Sequence, residues 1–228
     1  MTLAPHPVGV ELLDDPAAPR GAVRESLRNI ARANRWFGGR GAVRWGLRHV
    51  PLASGAPIVL LDIGAGTGDL TLDAARRMGS RGITVRPVML ETHPEAVSLC
   101  RTAGLFVIRG DAGALPLADR SVDVVLLSQI LHHFSRESAK AALGEARRIA
   151  RRAIVIADLR RSTLAVAAFH VGARMLGFDP ATRADGVTSI RRGFHPRELA
   201  VLLAEAGLPA LVRRRPGWRL VAVARMVP

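Results

Sequence analysis

The chain has 228 residues, 49% of them hydrophobic, which suits one domain with a large core. Its formal net charge of +14 comes from 33 Lys+Arg against 19 Asp+Glu, and because Lys140 is the only lysine, arginine carries nearly all of it. The single cysteine, Cys100, excludes an internal disulfide framework and a thiolate zinc site, and the absence of low-complexity tracts and repeats excludes a disordered or solenoid chain. No apolar run reaches membrane-spanning length, tyrosine is absent, and the opening Met1-Thr-Leu-Ala-Pro-His-Pro7 has no basic head or apolar block. The expectation is a cytoplasmic protein. An arginine excess of this kind, beside abundant Ala and Gly, fits first a compositional bias of the genome and second a partner with negative charge, nucleic acid or an anionic membrane.

Residues 1–20, rich in Pro, Ala and Asp, have no periodicity and read as a flexible lead-in. From Ala22 to Asn34, Val23, Leu27, Ile30 and Asn34 recur at helical spacing with Arg24, Arg28, Arg32 and Arg35 on another face, so the pattern predicts a basic amphipathic helix ended by Gly38-Gly39. Ala42–Val50 reads as a second short helix, so residues 21–50 form an N-terminal helical pair ahead of one domain over 51–228.

Short apolar runs then alternate with helical patterns, the form of a parallel α/β sheet. Strands are predicted at Ile58–Ile63, Thr84–Leu90, Leu105–Arg109, Val122–Leu127 and Ala153–Ala157, with helices at Gly68–Met78, Pro94–Ala103 and Arg136–Arg151 between them. Ser162–Phe178 is an unusually apolar helical stretch followed by a polar loop to His195; Pro196–Ala206 is a helix stopped by Gly207. Ala210–Arg214 and Arg219–Arg225 pair as a closing hairpin around Pro216-Gly217.

The most informative string is Leu60-Leu-Asp-Ile-Gly-Ala-Gly-Thr-Gly-Asp69, a strand running into a glycine-rich turn and a helix. The dinucleotide fingerprint wants Gly or Ala six positions from Gly64, where this chain has Asp69. A carboxylate there repels a pyrophosphate; with Asp62 at the strand end, it suits a ligand carrying cationic groups. Glu91 closes the second strand, where a carboxylate can accept from two ribose hydroxyls, and Asp111 follows the third, where it can accept from an exocyclic amine beside Ala112. Ligands of such sheets bind beyond the carboxyl ends of the strands, so these acids share one crevice. Taken singly, each Asp is as well explained as a turn or cap residue.

The strings LDIGAGTGD, MLETHPEAV, GDAGALPLADRSVDVV and SQILHHF resemble the motifs of class I S-adenosylmethionine-dependent methyltransferases of the small-molecule type, in order, over roughly residues 58–160. The resemblance implies a Rossmann-like, doubly wound seven-stranded sheet, mostly parallel with an antiparallel last strand, and S-adenosyl-L-methionine as cofactor. It places Asp62, Gly64, Ala65 and Gly66 along the methionine part, Glu91 and Thr92 at the ribose, Asp111 and Ala112 at adenine, and Ser128 and Gln129 beside the sulfonium. It also implies that the N-terminal helices, with Trp36 and Phe37, close over the crevice, and that the segment of about 160–195 shapes the acceptor pocket.

Methyl transfer is an in-line displacement that needs positioning and at most one base. His132 and His133, after the fourth strand, and Asp158, after the fifth, are the candidates, with core packing and pairing to Arg160 or Arg161 as the plain alternatives. The pocket candidates are Trp36, Phe37, Phe169, His170 and Met175, among Leu164, Val166, Ala167, Val171, Leu176 and Phe178, a lining for a greasy or aromatic molecule unless it is ordinary core. No metal is expected. The expected partner is a small, largely apolar acceptor such as a polyketide, phenol or quinone, methylated at O or C by a monomer or homodimer, with peripheral contact of the basic N-terminal helix to anionic lipid. An RNA methyltransferase is the alternative the charge supports, although aromatic residues are only 4% and no Asn/Asp-Pro-Pro-Tyr-like motif follows the fourth strand. A cofactor-binding accessory protein without turnover is the third.

Overall fold

A computed structural model describes residues 11–15, 17–52 and 55–226. Seven strands, β1 (Ile58–Ile63), β2 (Val85–Glu91), β3 (Val107–Arg109), β4 (Val122–Ser128), β5 (Ala150–Leu159), β6 (Arg213–Arg215) and β7 (Arg219–Arg225), form one sheet in the order β3-β2-β1-β4-β5-β7-β6. β1 pairs in parallel with β2 and β4, β2 with β3 and β4 with β5; β7 runs antiparallel to β5 and to β6. This is the Rossmann-like sheet with an antiparallel last strand. The strand order reverses between β1 and β4, which opens a crevice beyond their carboxyl ends.

The apolar runs of β1, β4 and β5 have no polar alternation because both faces of these strands are covered. Leu61, Ile63, Val125, Leu127, Ile154 and Ile156 face helices α5 (Arg136–Ile149) and α8 (Pro196–Glu205), through Leu143, Ile149, Leu199 and Leu203. Leu60, Val124, Leu126 and Val155 point the other way onto α2 (Gly39–Arg48) and α3 (Asp69–Gly79), through Leu47, Leu70 and Met78. Helix α4 (Pro94–Thr102) contributes Ala96 to a smaller cluster with Val23 and Leu27 of α1 (Arg20–Trp36).

Three expectations are corrected. Residues 1–10 of the expected lead-in lie outside the described residues, but Glu11–Asp15, also expected to be flexible, are docked: Leu12–Asp14 form a 3-10 turn whose Leu12 N–H donates to Asp185. The polar stretch expected as a loop to His195 is mostly helix α7 (Pro180–Arg192), following α6 (Thr163–Met175). Its start is written chemically: Asp179 accepts from Thr182 N–H at 2.9 Å, and Pro180 sits at the first position, where its missing N–H costs nothing. Finally, the first strand of the closing hairpin is β6 at Arg213–Arg215, where the expectation was Ala210–Arg214.

Candidate active site

The glycine turn after β1 forms because its backbone takes left-handed angles: Gly64 has φ +72° and a Cβ there would lie 2.6 Å from Ile130, while Gly66 has φ +56°. Around this turn lies a cavity of about 300 Å³ whose lining includes Asp62, Gly64, Ala65, Gly66, Asp69, Glu91, Thr92, Ser128 and Gln129. Glu91 accepts from Gly66 N–H at 2.8 Å and from Thr92 N–H at 2.9 Å, tying the end of β2 to the turn. Asp111 and Ala112 are not among the residues that line this cavity; Asp111 is exposed and accepts from Gly113 N–H at 2.6 Å.

Two carboxylates in this cavity each leave one buried oxygen without a hydrogen bond. Asp62 accepts from the Thr71 hydroxyl at 2.5 Å through Oδ2, but its Oδ1 is buried with no hydrogen bond. Burial pushes its carboxyl up to about 7. Asp69 accepts from Asn34 Nδ2 at 3.1 Å, its Oδ2 has no hydrogen bond, and burial pushes it up to about 6. The Arg40 guanidinium lies 3.9 Å from Asp69 Oδ2, so the orphan Asp62 Oδ1 is the acceptor that calls for a donor from outside the chain. S-adenosylmethionine carries an ammonium, a sulfonium and a ribose diol, so this set of acceptors fits it.

A second cavity, of about 140 Å³, adjoins the first; Leu13, Ile30, Asn34, Gln129 and His133 line both. Its walls are Phe37, Leu159, Phe169, Phe178, Ile190 and Trp218. Of the expected pocket residues, Phe37 and Phe169 line it, their ring centroids 5.3 Å apart. Trp36, His170 and Met175 do not; all three are exposed, as are Leu164 and Val171. The reason is helical geometry. With Phe169 turned inward on α6, His170 is rotated about 100° away and Met175 points to the outer side.

The polar end of this cavity carries His132, which is buried. Its Nδ1 lies 2.6 Å from Oδ1 of Asp158, and its Nε2 has no hydrogen-bond partner. Leu131 and Leu159 donate their N–H groups to Asp158 at 3.1 and 2.7 Å, so the carboxylate is fully held. Burial pushes the Asp158 carboxyl up, but the charge and hydrogen bond of His132 outweigh it and hold the group below its ordinary range. His133 is engaged differently, 3.4 Å from Asp14, whose carboxyl it holds well below the usual range.

Gln129 divides the two cavities in a left-handed conformation, φ +55°. It donates to Asn34 Oδ1 at 2.6 Å and accepts from Arg219 at 2.5 Å, and Arg219 also donates to the Phe37 carbonyl at 3.0 Å. Burial pulls Arg219 down to about 10. Sequence reasoning missed Asn34, Arg219, Trp218 and Glu11 in this region, whereas Phe178, expected in the lining, is there. Glu11 accepts from Ser189 and Arg192, and its carboxylate comes within 4.8 Å of donor atoms of His132 and His133. Three such atoms can hold a metal ion, but here the Arg192 guanidinium already answers the charge of Glu11.

The sheet and the crevice beside it have the fold of class I S-adenosylmethionine-dependent methyltransferases. Residues 60–153 match the methyltransferase domain family. An uncharacterized methyltransferase of Mycolicibacterium vanbaalenii is 40% identical over 83 residues, 36% of this chain and 32% of the relative, so the chain spans about a third of the length of the curated relatives it matches. Among solved structures, a SAM-dependent methyltransferase of Aquifex aeolicus shares the fold with a TM-score of 0.62 at 16% identity, over 92% of this chain and 99% of that one. An O-methyltransferase family 2 protein of Planctomyces limnophilus in complex with apigenin has a TM-score of 0.62 at 18% identity, over 95% of this chain and 64% of that one.

Proposed function

We propose that the protein is an enzyme that transfers a methyl group from S-adenosylmethionine to a small, largely apolar acceptor of the phenol, polyketide or quinone kind, at an acidic hydroxyl or an activated carbon. The observation that carries this reading is the unpartnered Nε2 of His132, held by Asp158 at the polar end of an apolar cavity that shares a wall with the carboxylate-rich one.

When bound, the cofactor supplies an electrophilic methyl group on a sulfonium. Asp62 and Asp69 offer acceptors to its cationic groups, and Glu91 to its ribose. The Arg219–Gln129–Asn34 chain of hydrogen bonds fixes the wall between cofactor and acceptor. Phe37, Phe169 and Phe178 hold the acceptor and keep water from the reacting oxygen. His132 Nε2 takes the proton of the acceptor as its oxygen or carbon becomes the nucleophile, and Asp158 stabilises the resulting imidazolium. The proton leaves to solvent after the product does. Apigenin in the Planctomyces limnophilus structure is a phenol of the class proposed here.

The test is incubation with methyl-labelled cofactor and separated lipid, small-molecule and RNA pools. Label in a small apolar molecule is expected. Label confined to RNA overturns the proposal in favour of an RNA methyltransferase, and cofactor binding without label in any pool supports an accessory protein.

A further inference from the structure

Helix α6 is apolar on two opposite faces. Inward, Ala165, Phe169 and Ala173 are packed beneath the helix, with Ala165 and Phe169 at the acceptor cavity. Outward, Leu164, Val171 and Met175 are 70%, 60% and 83% exposed, and their spacing of seven and then four residues, with exposed Ala167 between, sets them in one stripe. Trp36, 63% exposed, stands at the end of α1, and the Phe37 ring beside it in the chain lies against Gly172 of α6. Large apolar side chains grouped this way on the outside of a folded domain mark a surface that meets something apolar.

The charge around the stripe indicates what that is. Arg174 lies on the same helix, Arg32 donates to the Leu176 carbonyl at its end, and the Arg35 guanidinium is 5.5 Å from the Trp36 ring. All three arginines are exposed. A second copy of this +14 chain would set arginine against arginine across the stripe. We propose that this face docks on an anionic lipid bilayer, with Leu164, Val171, Met175 and Trp36 entering the headgroup boundary and Arg32, Arg35 and Arg174 meeting lipid phosphates. It is an interfacial contact, since no helix among the described residues is long and apolar enough to cross a membrane. If the acceptor is apolar as proposed above, docking brings the helix that lines its cavity to the phase in which the acceptor dissolves.

The experiment needs no methyl transfer. The full chain is sedimented with phosphatidylcholine vesicles, with and without phosphatidylglycerol, and Trp36 fluorescence is followed with Trp36→Phe as the blank. Binding to the anionic vesicles only, weakening as salt rises, with a blue shift absent in Trp36→Phe, is expected. The Leu164→Glu/Met175→Glu variant, both positions exposed, should keep cofactor binding and lose about tenfold or more of the vesicle affinity. No sedimentation at low salt, equal sedimentation of this variant, or binding indifferent to phosphatidylglycerol overturns the proposal. So does a dimer in solution that the same variant converts to monomer.

Discussion

Nδ1 of His132 and Oδ1 of Asp158 lie 2.6 Å apart in a place where both side chains are buried, although 26 residues separate them in the chain. A carboxylate so placed fixes the tautomer and orientation of the imidazole, and the second nitrogen is left without a hydrogen bond.

Replacing His132 with Gln should therefore lower kcat by about 10²–10⁴-fold while cofactor affinity stays within about twofold of the parent. Single-turnover rates with labelled cofactor, alongside calorimetric binding, separate the two effects. A variant that retains full turnover removes His132 from the mechanism.

Asp62 links stability to pH. Its folded value of about 7 stands above the ordinary value of 3.8, so the folded state binds the proton more tightly and stability falls as pH rises between those values. Asp62→Asn removes the buried charge. Thermal unfolding of the cofactor-free protein should show the variant more stable at about pH 8, by on the order of 2–4 kcal/mol, with the gap closing at about pH 4. The same variant should bind the cofactor more weakly.

Glu91 holds the Gly66 turn as well as facing the cavity, so Glu91→Ala removes two functions at once. Cofactor affinity measured by calorimetry should fall by about 10–100-fold, the scale of a charged hydrogen bond of about 1.5–3 kcal/mol. Asp111→Ala, at an exposed position outside the lining, should cost less; an equal loss would bring the β3 end into the binding site.

Gly186 lies under Phe169: a Cβ there would be 2.2 Å from the ring. Gly186→Ala must shift that ring, which lines the apolar cavity. The expected result is an acceptor KM raised several-fold, an unchanged cofactor Kd, and a stability loss of about 1–3 kcal/mol from overpacking. Unchanged KM would place the acceptor elsewhere.

The parallel sheet was readable because strands covered on both faces need near-continuous apolar runs, as in Ile58–Leu61 of β1 and Val124–Leu127 of β4. Helix α7 was not readable as a helix from periodicity, since it packs with few apolar residues, Ile190 being the one buried hydrophobic among them; only its Asp179-Pro180 start is a local signal. The carboxylates Asp62, Asp69 and Glu91 were legible as one set because strand ends of a parallel sheet converge by topology alone.

The pocket was another matter. Helix α6 is apolar nearly all round, so the sequence holds no record of which stripe turns inward, and Phe169 was separated from His170 and Met175 only by packing against Phe37 and Phe178. Adjacent histidines likewise look alike in a sequence, whereas the fold sends His132 to Asp158 and His133 to Asp14. By itself, then, the sequence determined the sheet, the glycine turn and the acids around it, all of which follow from local spacing and chain order. Which helix face, which histidine and which distant carboxylate come together at the second cavity was decided by tertiary contacts, because those pairings depend on the rotation and docking of whole elements that no local pattern encodes.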